Sequence, residues 1–227
     1  MKTTVIIPVF NEEKTIKQIL TKVLASKIEK DIIVVDDCST DKSRKILKKY
    51  ADENIITLLL HDKNQGKGAA IRTGLKGANS DIILIQDADL EYDPEDYPKL
   101  IKPILEEKTQ VVYGTRMHSL SNKDMHTLHF FGNKLLTFTT NLLFGSKISD
   151  METCYKVFRS DVIKDMKLRA RRFDFEPEIT AKILKKGYAI YEIPIKFTPR
   201  SFEEGKKITW RDGLKHIYHL VKYRFVD

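Results

Sequence analysis

The sequence predicts an α/β protein built on a central, mostly parallel sheet with helices on both faces. Short apolar runs alternate with longer polar segments through the first half of the chain. Parallel strands joined by crossover helices are typical of this alternation, because a strand buried on both faces has a continuous apolar sequence. Polar clusters follow three of the runs, at Asn11-Glu12, Asp36-Asp37 and Asp87-Ala88-Asp89. Open sheets of this class bind ligands at these carboxyl ends of the strands.

The elements of the first half follow in order. Apolar runs predict strands over Val5–Val9, Ile32–Val35, Ile55–Leu60, Ile82–Ile85 and Gln110–Tyr113. Polar segments between them predict helices over Glu12–Ser26, Asp41–Tyr50, Gly66–Ala78 and Pro94–Glu107. Proline at the start of the last of these suits the first turn of a helix, where its missing N–H has no intrahelical partner.

The second half is less regular. Apolar residues at helical spacing predict helices over His126–Phe144 and Phe175–Lys186, and Ala189–Phe197 resembles an edge strand bearing Pro194. Arg211–Phe225 predicts a basic, aromatic, amphipathic C-terminal helix. There is no internal repeat or Gly/Ser linker, so we expect one domain over residues 1–227. Its nucleotide-binding half would cover about residues 1–115 and its acceptor-side half about residues 116–227.

Composition narrows the class of protein. Lys and Arg number 40 against 32 Asp and Glu, and this net charge of +8 favours anionic partners or simply a solvated basic surface. The two cysteines, Cys38 and Cys154, have no metal-ligand spacing, which favours a reducing, cytoplasmic compartment. No signal-peptide pattern and no apolar run of about 18 residues occurs, so we expect any membrane contact to be peripheral. No recognisable nucleic-acid-binding motif is present, and nucleic acid is not expected as a partner.

Asp87-Ala88-Asp89 is the sharpest chemical signal. Two carboxylates one residue apart at a strand end can hold a hard divalent cation, and such a cation in turn binds a diphosphate. Glu91 adds a third oxygen donor in the same turn. The alternative is an acidic turn that caps the next helix.

The order of four segments supports the chemical interpretation. Residues 5–12, 33–41, 64–70 and 86–90 together resemble the family 2 inverting glycosyltransferases, which have the GT-A nucleotide-sugar fold. Within that family they look like the polyprenol-phosphate mannose and glucose synthases. Later pieces, at residues 114–116, 150–159, 192–195 and 200–207, extend the resemblance over roughly residues 3–210.

The resemblance implies a role for each matching position. It implies a nucleotide-sugar site made by Pro8, Phe10, Glu12, Val35, Asp37, Lys67, Asp87, Ala88, Asp89, Arg116, Arg200 and Lys206. It implies Mg²⁺ or Mn²⁺ on Asp87, Asp89 and Glu91, and catalytic roles for Asp89, Asp150, Arg116 and Arg200. Arginine forks suit phosphate bidentately and lysine supplies a movable charge, although each such residue could equally be a solvated one. For Lys67, between Gly66 and Gly68, structural and binding roles are both open.

The implied reaction is transfer of a sugar from a UDP- or GDP-linked donor to a polyprenyl phosphate. It would take place at the cytoplasmic face of a membrane, through peripheral contact or a membrane-embedded partner. An acceptor phosphate is largely ionised at neutral pH, so it needs positioning more than a general base. The alternative is a family 2 transferase with a sugar hydroxyl acceptor, for which Asp150 and Glu176 are the candidate bases.

The acceptor side departs from the mannose synthases. They carry a Ser-Arg pair before a Gly-Ala-Asn-like segment, where this chain has His129-Phe130-Phe131-Gly132-Asn133. His129 and Lys123 are therefore the candidates for holding the acceptor phosphate, and the sugar is left open. The two amphipathic segments, 126–144 and 211–225, would either face a bilayer or pack against the core.

Overall fold

The computed structural model describes residues 1–117, 127–200 and 210–226. Within these ranges one sheet contains seven strands. They are β1 (Thr3–Val9), β2 (Lys30–Asp36), β3 (Thr57–Leu60), β4 (Ile82–Ile85), β5 (Val111–Thr115), β6 (Lys156–Arg159) and β7 (Ile190–Pro194). Their spatial order is β3-β2-β1-β4-β6-β5-β7. The predicted edge strand is confirmed, since β7 lies at the end of the sheet.

Helices connect the strands. They are α1 (Ile16–Ala25), α2 (Ser43–Asp52), α3 (Lys67–Gly77), α4 (Tyr97–Leu105), α5 (Thr127–Phe144), α6 (Ser160–Lys164), α7 (Phe175–Lys185) and α8 (Trp210–Phe225). A 3₁₀ turn over Pro94–Asp96 precedes α4. The first helix begins at Ile16 and not at Glu12, because residues 12–15 form a turn in which the Glu12 carbonyl accepts from the Thr15 and Ile16 amides.

Strand β6 and helix α6 are not predicted by the sequence pattern. Strand β6 runs antiparallel between β4 and β5, whereas the other ladders pair parallel strands. Its four residues begin with Lys156, which interrupts the apolar pattern expected of a buried strand. The lysine is nevertheless fully buried, and its ammonium group donates to the carbonyls of Met151 and Thr153. The expectation of a mostly parallel sheet is confirmed with this exception.

Both faces of the sheet are covered, as expected. Along β1, Val5 and Ile7 join one apolar cluster with α1 and α4, while Ile6 joins a second with α3 and α7. The alternation follows from the two-residue period of a strand, whose successive side chains point to opposite faces. A third cluster around Leu136 and Leu220 packs α5 against α8. None of the helices in the described part of the chain is long and apolar enough to cross a membrane.

Candidate active site

The carboxyl ends of β2, β1 and β4 meet at one edge of the sheet, and the loop after each carries a residue with strained backbone. Asn11, Cys38 and Leu90 have φ values of 56°, 62° and 67°. A non-glycine residue in this region is uncommon, and such residues concentrate at functional sites where the surrounding structure holds them. The acidic clusters predicted at the strand ends therefore lie together on irregular loops.

Four of the predicted residues lie in the strands at this edge of the sheet or in the loops that follow them. Pro8 pairs in register with Val35, which is fully buried. Pro8 lacks an N–H, but the pairing of β1 with β4 ends at Ile6, so no ladder bond on that side is lost. Ala88 is also buried, and Phe10 is half-buried at the start of the loop after β1.

Asp37 anchors the turn that leads into α3. Its Oδ1 accepts from the Gln65 amide at 2.8 Å, and its Oδ2 accepts from the Gly66 amide at 2.7 Å. His61 Nδ1 lies 2.7 Å from Oδ1. Asp37 is only 2% exposed, because these groups surround its side chain. Asp37 thereby fixes the position of Lys67, the first residue of α3. The predicted contact between Asp37 and the nucleotide stays a prediction.

Lys67 lies at the centre of a charged cluster beside Asp87. Its Nζ is 2.8 Å from Asp87 Oδ1, 3.1 Å from Glu176 Oε1 and 3.3 Å from Cys154 Sγ. Burial acts to lower the pKa of Lys67, but the negative charges of Asp87 and Glu176 outweigh it and raise this pKa well above its usual value. Burial likewise acts to raise the pKa of Asp87, yet Lys67 lowers it overall. The pair is therefore ionised at neutral pH.

Sequence reasoning missed the role of Cys154 and the Lys67–Glu176 contact. Glu176 lies in the first turn of α7. Its Oε2 is buried without a hydrogen-bond partner in the described residues, 3.9 Å from Lys156 Nζ. Burial raises the pKa of the Cys154 thiol, so the thiol is neutral. The residues come together from α3, the loop after β4, α7 and the segment before β6. No local sequence pattern could have indicated their meeting.

Asp89 pairs with Arg200. Arg200 Nη2 donates to Asp89 Oδ2 at 2.9 Å, and Nη1 donates to Glu12 Oε2 at 3.2 Å. Burial, together with the nearby charges of Asp87 and Glu91, raises the pKa of Asp89 to about 7. The structure thus brings Glu12, Asp89 and Arg200 into one group, as their predicted roles require.

The segment after β7 carries Arg200 to this place. Phe197 forms an isolated antiparallel bridge with Tyr92, and the Thr198 amide donates to the Glu91 carbonyl at 2.9 Å. The Arg200 amide then donates to Glu91 Oε1 at 2.8 Å. The loop after β4 and the segment at 197–200 therefore hold each other, and Glu91 acts as a backbone anchor.

Arg116 pairs with Asp150. Arg116 Nε and Nη2 each donate to a different oxygen of Asp150 at 2.7 Å, and Asn133 of α5 donates to the same carboxylate at 2.7 Å. Burial acts to raise the pKa of Asp150, but the Arg116 charge outweighs it and the pKa lies below its usual value. The Arg116 guanidinium also lies over the Phe197 ring, 5.1 Å from its centre. Asp150 is fully buried, and both of its carboxylate oxygens accept hydrogen bonds from these donors. This arrangement is poorly suited to a general base, which must take a proton from the substrate.

The carboxylates of Asp87 and Asp89 fit a metal ion that takes only one or two ligands from the protein. In the described residues, no group of three or more His, Cys, Asp or Glu side chains is arranged to hold a metal ion, so the expected set of Asp87, Asp89 and Glu91 is not assembled. Glu91 instead accepts from the Arg200 amide. Mg²⁺ is commonly bound by one or two carboxylates with substrate phosphates and water, and Asp87 and Asp89 fit that mode.

Three predicted residues cannot be placed in the site. Lys123 and Lys206 lie outside the described residues, and the side chain of His129 is not described although its backbone belongs to α5. Their predicted phosphate contacts stay predictions.

The fold of this chain matches those of solved glycosyltransferase structures, which establishes its fold class. The structure of glucosyl-3-phosphoglycerate synthase from Mycobacterium tuberculosis, solved with Mn²⁺, uridine diphosphate and phosphoglyceric acid, matches with a TM-score of 0.73. It is 17% identical, and the match covers 100% of this chain and 79% of that chain. The GT-A fold expected from the sequence is confirmed.

The chain belongs to glycosyl transferase family 2, whose family model matches residues 4–167. It is a glycosyltransferase. A UDP-N-acetylglucosamine–dolichyl-phosphate N-acetylglucosaminyltransferase of Methanococcus voltae is 32% identical over 95% of this chain and 93% of its own length. An undecaprenyl-phosphate 4-deoxy-4-formamido-L-arabinose transferase of Photorhabdus laumondii is 30% identical over 90% of this chain and 62% of its own. The expected resemblance to polyprenol-phosphate sugar transferases is confirmed.

Proposed function

We propose that the protein transfers a sugar from a UDP- or GDP-linked donor to a polyprenyl phosphate at a membrane surface, with Mg²⁺ or Mn²⁺. One observation carries the proposal: helix α5 links the charged site to an exposed apolar surface. Asn133 on its buried face binds Asp150, the partner of Arg116. On its opposite face Phe131, Leu135, Phe138 and Leu142 are 55–73% exposed. A helix is about 10 Å across, so a lipid contacting this face would lie close to the site.

The donor would bind at the edge formed by β1, β2 and β4. Asp87 and Asp89 would hold the cation, which when bound neutralises the charge of the departing nucleoside diphosphate. Lys67 and Arg200 are the nearby cations available to the same diphosphate. Names of relatives support uridine, since the Methanococcus voltae protein is named for a UDP-linked sugar.

The surroundings of the two candidate bases favour a phosphate acceptor over a sugar hydroxyl. Asp150 accepts from Arg116 and Asn133, and Glu176 is buried with one carboxylate oxygen paired with Lys67. A hydroxyl acceptor needs a group that takes its proton, whereas an ionised phosphate oxygen attacks the anomeric carbon directly as the diphosphate leaves.

A transfer assay tests the proposal. UDP- and GDP-linked sugars would be offered with polyprenyl phosphate in vesicles or with soluble glycans. We expect transfer to the prenyl phosphate that requires the divalent ion. Asp87→Asn or Asp89→Asn should lower turnover about 100-fold or more, because each weakens the site that stabilises the leaving group.

Asp93→Asn is a matched control in the same loop. Asp93 caps the 3₁₀ turn and pairs with Lys22 at 3.0 Å, so its loss should leave turnover nearly unchanged. Transfer to a glycan hydroxyl with none to any prenyl phosphate would contradict the proposed acceptor. Full turnover in both Asp87→Asn and Asp89→Asn would contradict the proposed metal site.

A further inference from the structure

The proposed metal site already contains cations that belong to the protein: Lys67 on Asp87 and Arg200 on Asp89. Resting on the function proposed above, we propose that Arg200 moves from Asp89 to the diphosphate when metal and nucleotide bind. The consequence is that the two ligands bind interdependently, each much more weakly alone than with the other.

Both carboxylate oxygens of Asp89 accept hydrogen bonds from protein groups. Oδ2 accepts from Arg200 Nη2 at 2.9 Å, and Oδ1 accepts from the Glu91 amide at 3.1 Å. The side chains of Asp89 and Arg200 are 13% and 16% exposed, so water screens their attraction only partly. A divalent ion on Asp89 must therefore compete with the guanidinium, and the two positive charges repel each other.

Arg200 is incompletely satisfied in its present place. Its Nε is buried and has no hydrogen-bond partner within the described residues, although Nη1 and Nη2 donate to Glu12 and Asp89. A buried donor without an acceptor is unfavourable. A diphosphate offers several anionic oxygens in the geometry that a guanidinium fork prefers, so it would satisfy this donor.

The backbone around Arg200 is fixed, and the exchange requires only its side chain to move. The Arg200 amide is held by Glu91 Oε1, and the Thr198 amide is held by the Glu91 carbonyl. When the metal arrives without nucleotide, the displaced guanidinium has no new anion. Nucleotide supplies that anion, and because coupling between two binding sites is reciprocal, metal raises nucleotide affinity by the same factor.

Mn²⁺ titrations followed by electron paramagnetic resonance test the exchange. The wild type and Arg200→Gln would be titrated alone and with UDP or GDP. Without nucleotide, Arg200→Gln should bind Mn²⁺ about fivefold more tightly, because the competing ion pair is gone. With nucleotide, the increase in Mn²⁺ affinity should be clearly smaller in the variant than in the wild type.

Arg159→Gln is the matched control. It removes the same charge from a pair with Asp161, next to Ile82 at the opposite end of β4, and should match the wild type in both titrations. Equal Mn²⁺ affinity of the wild type and Arg200→Gln without nucleotide, including no measurable binding by either, would overturn the exchange.

A different result is expected if Arg200→Gln acts only by removing a positive charge near the metal site. Mn²⁺ affinity would then rise equally with and without nucleotide, and the coupling between the two ligands would be unchanged. That outcome also overturns the exchange. A wild type that binds neither UDP nor GDP in the presence of Mn²⁺ would contradict the proposed function as well. Failure of the exchange alone leaves wild-type nucleotide binding intact, so the two failures are distinguishable.

Discussion

Individual side chains in the site are joined as oppositely charged pairs, each linking distant parts of the chain. Arg116 and Asp150 form one of the enclosed pairs, with 12% and 0% of their side chains exposed. Breaking a buried pair by removing one partner is costly because the other charge remains buried. The pair therefore fixes Asn133 and α5 relative to the end of β5, and its role is testable through stability.

Asp150→Asn should lower the free energy of unfolding by about 3 kcal/mol at pH 7, because buried Arg116 loses its charged partner. The pKa of Asp150 is lowered in the folded state, so its contribution is present above its unfolded pKa of about 4 and is lost as pH falls through the folded value. Urea unfolding from pH 7 to pH 3 should show the difference between variant and wild type narrowing below about pH 4.

Asp31→Asn is the control for this measurement, since Asp31 pairs with Lys2 on the surface and should change stability little. A constant difference between Asp150→Asn and the wild type down to pH 3 would show that ionisation of Asp150 is not the source. Unchanged stability with lost turnover would point instead to proton transfer by Asp150.

Among the elements, the turn into α3 is the one that the site depends on most directly. Gly66 has a φ of +94°, and a Cβ on it would lie 2.4 Å from the Arg171 carbonyl oxygen. Only glycine fits both conditions. The turn passes under the segment before α7, and Asp37 holds it there so that Lys67 reaches Asp87.

Gly66→Ala should cost about 3 kcal/mol of unfolding free energy, combining the strained φ with the steric clash. Gly187→Ala provides the matched control, because Gly187 has a φ of +82° with open space around it and should cost about 1 kcal/mol. Urea unfolding of both variants measures the difference. Equal losses would mean that the contact with Arg171 yields without cost and that only the backbone conformation matters.

Across the whole molecule, exposed apolar residues concentrate on α5 and α8, which pack together through Leu136 and Leu220. On α8 the exposed large apolar side chains, among those that the structure describes, are Tyr218, Val221 and Phe225. The chain also carries a net charge of +8. An apolar face on a basic molecule suits an anionic lipid surface, and both helices also have a side that packs in the core.

Replacing Phe138 and Leu142 together by serine should weaken binding to anionic vesicles by about tenfold or more, because two large exposed side chains no longer enter the lipid. The melting temperature should change little, since both are exposed. Vesicle sedimentation measures binding, and Leu60→Ser, an exposed residue on the edge strand β3, is the control. Unchanged vesicle binding by the double variant would exclude this face as the membrane contact.

The sequence by itself determined the alternation of strands and helices, the acidic ends of β1, β2 and β4, and the family. These features depend on local periodicity or on short motifs, which are readable from neighbouring residues. Strand β6 could not be predicted, because the burial of Lys156 depends on carbonyls that the folded chain places around it.

Only the tertiary structure decided how the charges pair. Arg200 meets Asp89 across 111 positions of the chain, and Lys67 meets Cys154 across 87. The motifs indicated that Asp87, Asp89, Arg116 and Arg200 share a site, but not that each carboxylate has a cation of its own. The number of positions between two residues in the sequence does not determine how far apart they lie in the folded protein. That distance depends on strand order and on the 197–200 segment crossing the loop after β4, which are properties of the assembled sheet.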